Sequence, residues 1–104
     1  MTDGASSAMD FSYLEGFAAG DPGVVREVLA LFLQQARAWR PGLDPGAAGW
    51  RDLLHTIKGS ARGIGANALG DVCARAEASD PPDLAGVGAA LDAVVVDIAG
   101  YLAR

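Results

Sequence analysis

The sequence is poor in the residues that build disulfides, metal centres and basic surfaces. Its 104 residues include one cysteine, Cys73, and one histidine, His55. It therefore cannot form an internal disulfide, and it lacks the three or four nitrogen and sulfur ligands that zinc usually takes, so we expect no metal site. Lysine and arginine number 8 against 13 acidic residues, for a net charge of −5. This balance argues against general binding to nucleic acid, whose phosphates attract positive charge.

Targeting segments and long apolar runs are missing as well. The N-terminus lacks the basic and apolar regions of a signal peptide. No apolar run reaches about 18 residues, because Asp92 and Asp97 interrupt the C-terminal one. A single cysteine also fits a reducing compartment. We therefore expect a cytoplasmic protein without a membrane span.

What the sequence does have is helical spacing. Apolar residues recur at the three- and four-residue intervals of an amphipathic helix in three long segments. These residues are Val25, Val28, Leu29, Phe32, Ala36 and Trp39; then Trp50, Leu53, Leu54, Ile57, Ala61 and Ile64; then Leu84, Val87, Leu91, Val94, Val95, Ile98 and Leu102. A short helix over residues 11–17 and another over residues 67–79 complete the set.

Capping signals set the expected boundaries. The pairs Asp21-Pro22 and Asp44-Pro45 each predict a helix start, because aspartate caps the free amides and proline fits the first turn. Gly63 and Gly65 predict the end of the third helix. We therefore expect an all-α fold: one domain over residues 1–104, with residues 1–9 a flexible tail. It should be an antiparallel four-helix bundle with a short additional N-terminal helix.

The histidine is predicted to face outward in the middle of the third helix. At about 100° per residue, His55 lies roughly 150° from the centre of the apolar face, and Lys58 about 90° from it. The basic residues Arg51, Lys58 and Arg62 follow the same side, so we expect them to steady an anion on the imidazole. Gly59 leaves the next turn bare, which costs stability in an exposed helix and indicates close approach by a partner.

Two runs resemble a known family: HTIKGSA at residues 55–61 with IGA at 64–66, and LGDVCARAE at 69–77. The first is similar to the H-x-x-K-G-S-A/S-x-x-ϕ-G-A signature of histidine-containing phosphotransfer (HPt) domains, where ϕ is apolar. The second is similar to the L-x-x-L-C-x-x-L-E pattern of the family's next helix. The pair Arg62-Gly63 is a less usual sequence before the apolar residue. The matched residues cover about a fifth of the chain.

The resemblance implies a phosphorelay intermediate without kinase or ATPase activity of its own. By similarity, His55 takes a phosphoryl group from a receiver-domain aspartyl-phosphate and passes it to another, with Lys58 stabilising charge. Docking is expected over Gly59, Arg51, Arg62 and Ser60.

The implied partners are response-regulator receiver domains, with a hybrid histidine kinase as a further candidate. We expect no cofactor on this chain, Mg²⁺ from the receiver, and a monomer that binds neither nucleic acid nor membrane. The alternative is an interaction module that docks a signalling protein and is never phosphorylated. A hydrolase with His55 as general base is disfavoured, because Ser60 points to another side of the helix.

Overall fold

The computed structural model describes residues 8–104, and the regular structure of this part is entirely helical. This confirms the all-α prediction. Five α-helices follow one another in the order α1 Phe11–Phe17, α2 Pro22–Trp39, α3 Trp50–Ile64, α4 Asn67–Glu77 and α5 Leu84–Leu102, with a short 3₁₀ turn at Arg40–Gly42 after α2.

Contacts between helix ends show that neighbouring helices run in opposite directions. Arg26 near the start of α2 donates a hydrogen bond to the carbonyl of Leu102 at the end of α5. At the other end of the pair, Arg40 forms an ion pair with Asp92, with Nε and Oδ1 3.1 Å apart. Helices α3 and α4 are antiparallel in the same way, as the functional site shows below.

The core is mainly aliphatic and is contributed by every helix. On α3, Leu54, Ile57 and Ala61 have no exposed surface, so the opposite side of this helix must face solvent. Fully burying one large aliphatic side chain contributes about 1.5–3 kcal/mol. The other completely buried residues are Leu29, Ala66, Leu69, Cys73, Val87, Val94 and Ile98.

Helix α5 has the length and composition of a membrane span, with a mean hydropathy of 1.6, although a core helix of a soluble protein meets the same test. In this structure its apolar face packs inside the bundle. Gly88 allows a close approach there, because a Cβ at that position would lie 2.9 Å from Cζ of Arg40. Arg40 therefore lies across the α5 backbone before it reaches Asp92.

Helix α2 begins as predicted, whereas α3 does not. The Asp21 carboxylate accepts hydrogen bonds from the amides of residues 23 and 24, and Pro22 occupies the first turn. Asp44 instead accepts a hydrogen bond from the Gly46 amide, 2.8 Å away, and so caps an isolated turn. The prediction that Asp44-Pro45 starts the third helix is wrong, because this turn uses the aspartate before α3 begins at Trp50.

The other boundaries are close to expectation. Gly65 ends α3 in the left-handed conformation with φ of 88°, a position that favours glycine. Gly63 remains inside the helix. Helix α4 ends at Glu77 rather than Ser79, whose hydroxyl donates to the carbonyl of Arg75.

The N-terminal segment differs from a flexible tail at its last two residues. Met9 is buried in the core, and the Ala8 amide donates a hydrogen bond to Asp97, 3.0 Å away. The Asp10 amide donates to the carbonyl of Gly65 at the end of α3. Residues 1–7 of the predicted tail lie outside the described residues.

The turn after α1 contains a strained residue that a substitution can relieve. Ala19 has φ of 55°, a conformation that costs an L-residue about 1–2 kcal/mol and glycine very little. We expect Ala19→Gly to raise the free energy of unfolding by about 1 kcal/mol in urea denaturation. Ala18→Gly is the matched control, because Ala18 has φ of −84°; it should be destabilising. Equal destabilisation by both substitutions would contradict backbone strain at Ala19.

Candidate functional site

His55 stands on the solvent side of α3, as its periodicity predicted. Its side chain is 75% exposed, while Leu54 and Ile57 on the same helix are completely buried. The imidazole is therefore accessible to another macromolecule. Its position in the middle of a 15-residue helix fixes the backbone that carries it.

A carboxylate from α4 lies between His55 and Lys58. Glu77 Oε2 is 3.4 Å from Nδ1 of His55, and Glu77 Oε1 is 2.6 Å from Nζ of Lys58. Lys58 and Glu77 each keep only 22% of their side-chain surface exposed. Because Glu77 approaches the ring from the Nδ1 side, the Nε2 side is left facing away from α4.

The ion pair controls the charge state of Glu77. The hydrogen bond from Lys58 lowers the pKa of the Glu77 carboxyl below its ordinary value, and His55 contributes in the same direction. Oε1 of Glu77 is shielded from solvent, so the ammonium of Lys58, and not water, stabilises the negative charge of this oxygen. Glu77 is thus held as a carboxylate at neutral pH.

The remaining basic residues of α3 also contact α4. Arg51 donates to the backbone carbonyl of Glu77, with Nη1 and O 2.8 Å apart, and lies over the ring of Trp50. Arg62 pairs with Asp71. Both arginines therefore have partners on α4, and their action on an anion at His55 stays a prediction.

The Arg62 contact depends on a glycine of α4. A Cβ at Gly70 would lie 2.8 Å from Cγ of Arg62, so the arginine stem packs directly on the α4 backbone. Since residues 51 and 62 of α3 meet residues 77 and 71 of α4, the two helices run antiparallel. Their order along the chain fixes Glu77 at the level of His55.

The turn beyond His55 is open. A Cβ at Gly59 would meet no atom within 4 Å, and the same is true of Gly63 one turn further. Neither glycine is needed for packing within residues 8–104, and Gly59 in particular leaves room beside the imidazole. Ser60, predicted as a docking residue, is half-buried on a flank of α3 away from His55.

Glu77 is the functional residue that sequence reasoning missed as a member of the site. It stood in the family-like run at residues 69–77, but nothing in its own spacing related it to His55. An antiparallel pairing of the third and fourth helices would have indicated the contact. Since a histidine and a lysine three residues apart lie on one side of a helix, an acid is expected opposite them on the facing helix.

Cys73 is a core residue, as predicted. It is completely buried one turn before Glu77, and burial raises the pKa of its thiol to about 11, with a further contribution from the Glu77 charge. The thiol is therefore protonated at neutral pH. Among residues 8–104, no group of three or more histidine, cysteine and acidic residues is placed to hold a metal ion.

Comparison with known proteins identifies the family of this chain. The profile of the Hpt domain matches residues 26–98, which contain all of α3 and α4. The chain is a member of the Hpt domain family. None of the curated proteins compared with it matches significantly.

Among solved structures, the chain is similar to the crystal structure of histidine phosphotransferase ShpA from Caulobacter crescentus. The two share 60% sequence identity with a TM-score of 0.86, over 91% of this chain and 90% of that one. Hpt domains act in two-component phosphorelays as phosphoryl carriers, not as kinases. The chain therefore has a role in a phosphorelay.

The lowered pKa of Glu77 predicts how the α3–α4 contact responds to acid. A carboxyl with a lowered pKa in the folded state stabilises the protein above its unfolded pKa, and this contribution is lost as pH falls through the folded value. The parent should therefore be more stable than Glu77→Gln at pH 7. The difference should shrink below the ordinary glutamate value of 4.5.

Urea denaturation of both proteins from pH 7 to pH 3 measures this difference. Asp80→Asn removes an exposed acid in the loop after α4 and serves as the control for the loss of one negative charge. A pH-independent difference between the parent and Glu77→Gln would contradict a charged Glu77.

Proposed function

We propose that the protein is a phosphorelay intermediate in which His55 is the phosphoryl carrier. It accepts the group from an aspartyl-phosphate of one receiver domain and passes it to the aspartate of another. The observation that carries this proposal is the exposed imidazole with Glu77 on its Nδ1 side. His55 is also the only histidine in the chain, so the imidazole chemistry has no other location.

The transfer requires the lone pair of Nε2. The Glu77 carboxylate lies 3.4 Å from Nδ1 and so favours the tautomer that carries its proton there, in which Nε2 has the lone pair. The Nε2 lone pair attacks phosphorus, the bond from phosphorus to the receiver's aspartate oxygen breaks, and its electrons remain on the aspartate as a carboxylate. The reverse step returns the phosphoryl group to an aspartate.

The charges that stabilise the transfer come mainly from the partner. Phosphoryl transfer depends on alignment and on neutralising the charge of the phosphoryl oxygens. Lys58, the nearest ammonium, already neutralises Glu77, so its action on the site goes through this carboxylate. The receiver supplies its own carboxylate, the Mg²⁺ ion and further positive groups. The chain alone then has no kinase or ATPase activity.

Exposed apolar side chains on α1 and α2 support receiver docking. Tyr13 lies against the end of α3, since a Cβ at Gly65 would come within 3.3 Å of its ring. Phe17 on the next turn of α1 is 77% exposed, and Leu31 on α2 is also exposed. Burying these exposed apolar side chains in a complex lowers the free energy. Because they remain in water when no partner is bound, they suit a partner that binds transiently.

Receiver domains are the partners that this surface and His55 fit, and a hybrid histidine kinase is one candidate to supply a receiver. We further propose that the protein works as a cytoplasmic monomer, without cofactor of its own and without binding nucleic acid or membrane. The net charge of −5 supports the exclusion of nucleic acid.

Substitution of the histidine tests the proposal. After incubation with a panel of phosphorylated receivers, the parent should carry a label that acid removes and base preserves, and His55→Gln should carry none. Both proteins should show the same helical circular dichroism, because the His55 side chain is solvent-exposed. Label on His55→Gln would refute the carrier role of His55. Absence of acid-labile label on the parent with every receiver would favour the interaction module.

Substitutions at Gly59 distinguish effects on receiver docking from effects on folding stability. Replacing an exposed mid-helix glycine by alanine should raise the free energy of unfolding by about 1 kcal/mol, because the open space around it admits a side chain. Gly59→Glu should also fold at least as stably as the parent but transfer phosphoryl groups poorly, since it blocks the receiver and repels phosphate. Gly59→Ala should transfer with a smaller loss.

Thermal denaturation and transfer rates with one receiver measure the two effects. Unfolding of Gly59→Glu would mean that the glycine serves packing, and normal transfer by a folded Gly59→Glu would mean that the receiver does not pass over this turn.

A further inference from the structure

The last turn of α4 is held from outside the helix by Arg51. Carbonyls at the end of an α-helix have no amide partner within that helix. Those of residues 74–76 accept hydrogen bonds from the amides of residues 78 and 79 and from the Ser79 hydroxyl. The carbonyl of Glu77 accepts instead from Nη1 of Arg51 on α3, 2.8 Å away. The contact that closes the end of α4 therefore comes from the helix that carries His55.

We propose that Arg51 is a positioning residue for phosphoryl transfer at His55, an inference that rests on the proposed function. Its hydrogen bond fixes the backbone of Glu77, and the carboxylate of the same residue then lies on the Nδ1 side of the imidazole. Arg51 acts through the position of Glu77 and not through its own charge.

The contact between Glu77 and His55 is the first that a shift of the α4 end would break. Oε2 and Nδ1 are 3.4 Å apart, beyond the usual hydrogen-bond distance of about 2.7–3.2 Å. Lys58 lies 2.6 Å from the other carboxylate oxygen, and its long, flexible side chain can follow a moving partner. The shorter imidazole side chain cannot follow as far. Loss of Arg51 should therefore separate Glu77 from His55 while the Lys58 ion pair persists.

Arg51 is itself held in place by its neighbour in the sequence. Its guanidinium carbon Cζ lies 4.5 Å from the centre of the Trp50 ring, which is the geometry of a cation–π contact. Trp50 in turn packs against the core. A lysine at this position would keep the charge but lack the planar fork that stacks on a ring and donates a hydrogen bond beside it. The arrangement therefore requires an arginine rather than any positive charge.

A docking role for Arg51 predicts different behaviour. A cation that contacts the receiver acts by charge, so a lysine would replace it, and its effect would respond to salt and persist when Glu77 is changed. A purely structural role would lower thermal stability without moving the imidazole proton. A positioning role disappears when the residue through which it acts is removed.

The experiment combines nitrogen-15 NMR, which locates the proton of the neutral His55 ring, with the rate of transfer from one phosphorylated receiver. In Arg51→Gln, part of the proton population should move from Nδ1 to Nε2, and transfer should slow about 2- to 10-fold, the equivalent of one hydrogen bond. Arg51→Lys should restore little of either. Arg75→Gln removes a positive charge from an exposed position in the last turn of α4 and should leave both unchanged.

Combination with Glu77→Gln distinguishes positioning from docking. Adding Arg51→Gln to Glu77→Gln should change neither the rate nor the proton position further, because the carboxylate that Arg51 positions is already gone. A proton that stays on Nδ1 in Arg51→Gln would overturn the proposal. So would full rescue by Arg51→Lys, or an equal slowing of transfer by Arg51→Gln with and without Glu77→Gln.

The NMR measurement uses the unphosphorylated protein, so failure of this inference is distinct from failure of the proposed function. An unchanged imidazole proton across the Arg51 variants, with phosphoryl transfer to His55 in the parent, would overturn only the positioning role. Absence of phosphoryl transfer to His55 in the parent would overturn the carrier role itself.

Discussion

The contact of Glu77 with α3 is the interaction on which the arrangement of the site depends. One residue at the end of α4 receives His55 and Lys58 on its carboxylate and Arg51 on its carbonyl. These three side chains come from successive turns of one helix, so the contact fixes both the rotation of α3 and its register against α4. The same contact determines which nitrogen of the imidazole faces solvent.

This contact divides α3 into three strips with different chemistry. The core strip is aliphatic and completely buried, as at Ile57. The strip toward α4 holds the cations: Lys58 and Arg62 pair with acids of α4, and Arg51 donates to the backbone carbonyl of Glu77. The outward strip holds His55, the open turn at Gly59 and the carboxylate of Asp52. The cations of α3 thus hold two helices together, and the exposed imidazole has little cationic support from this helix.

Periodicity and capping were sufficient to predict the helices and the exposure of His55, because both depend on residues close together in sequence. The start of α3 was not predictable in this way: Asp44 satisfies its side chain in a local turn, and only the tertiary structure shows that α3 begins later. The contact of Arg62 with Asp71 was not predictable for a related reason. A basic side chain on a helix flank can face a partner or an acid on the next helix, and the sequence of one helix does not distinguish them. Glu77 became visible as a site residue only when α3 and α4 were paired.

The position of the phosphoryl group on the imidazole tests the central claim most directly. Nitrogen-15 NMR of the protein before and after phosphorylation by a receiver distinguishes the two ring nitrogens of His55. With Glu77 on the Nδ1 side, we expect a proton on Nδ1 in the resting protein and the phosphoryl group on Nε2 after transfer. A phosphoryl group on Nδ1, or transfer to Nε2 with the resting proton on that same nitrogen, would contradict the role given to Glu77.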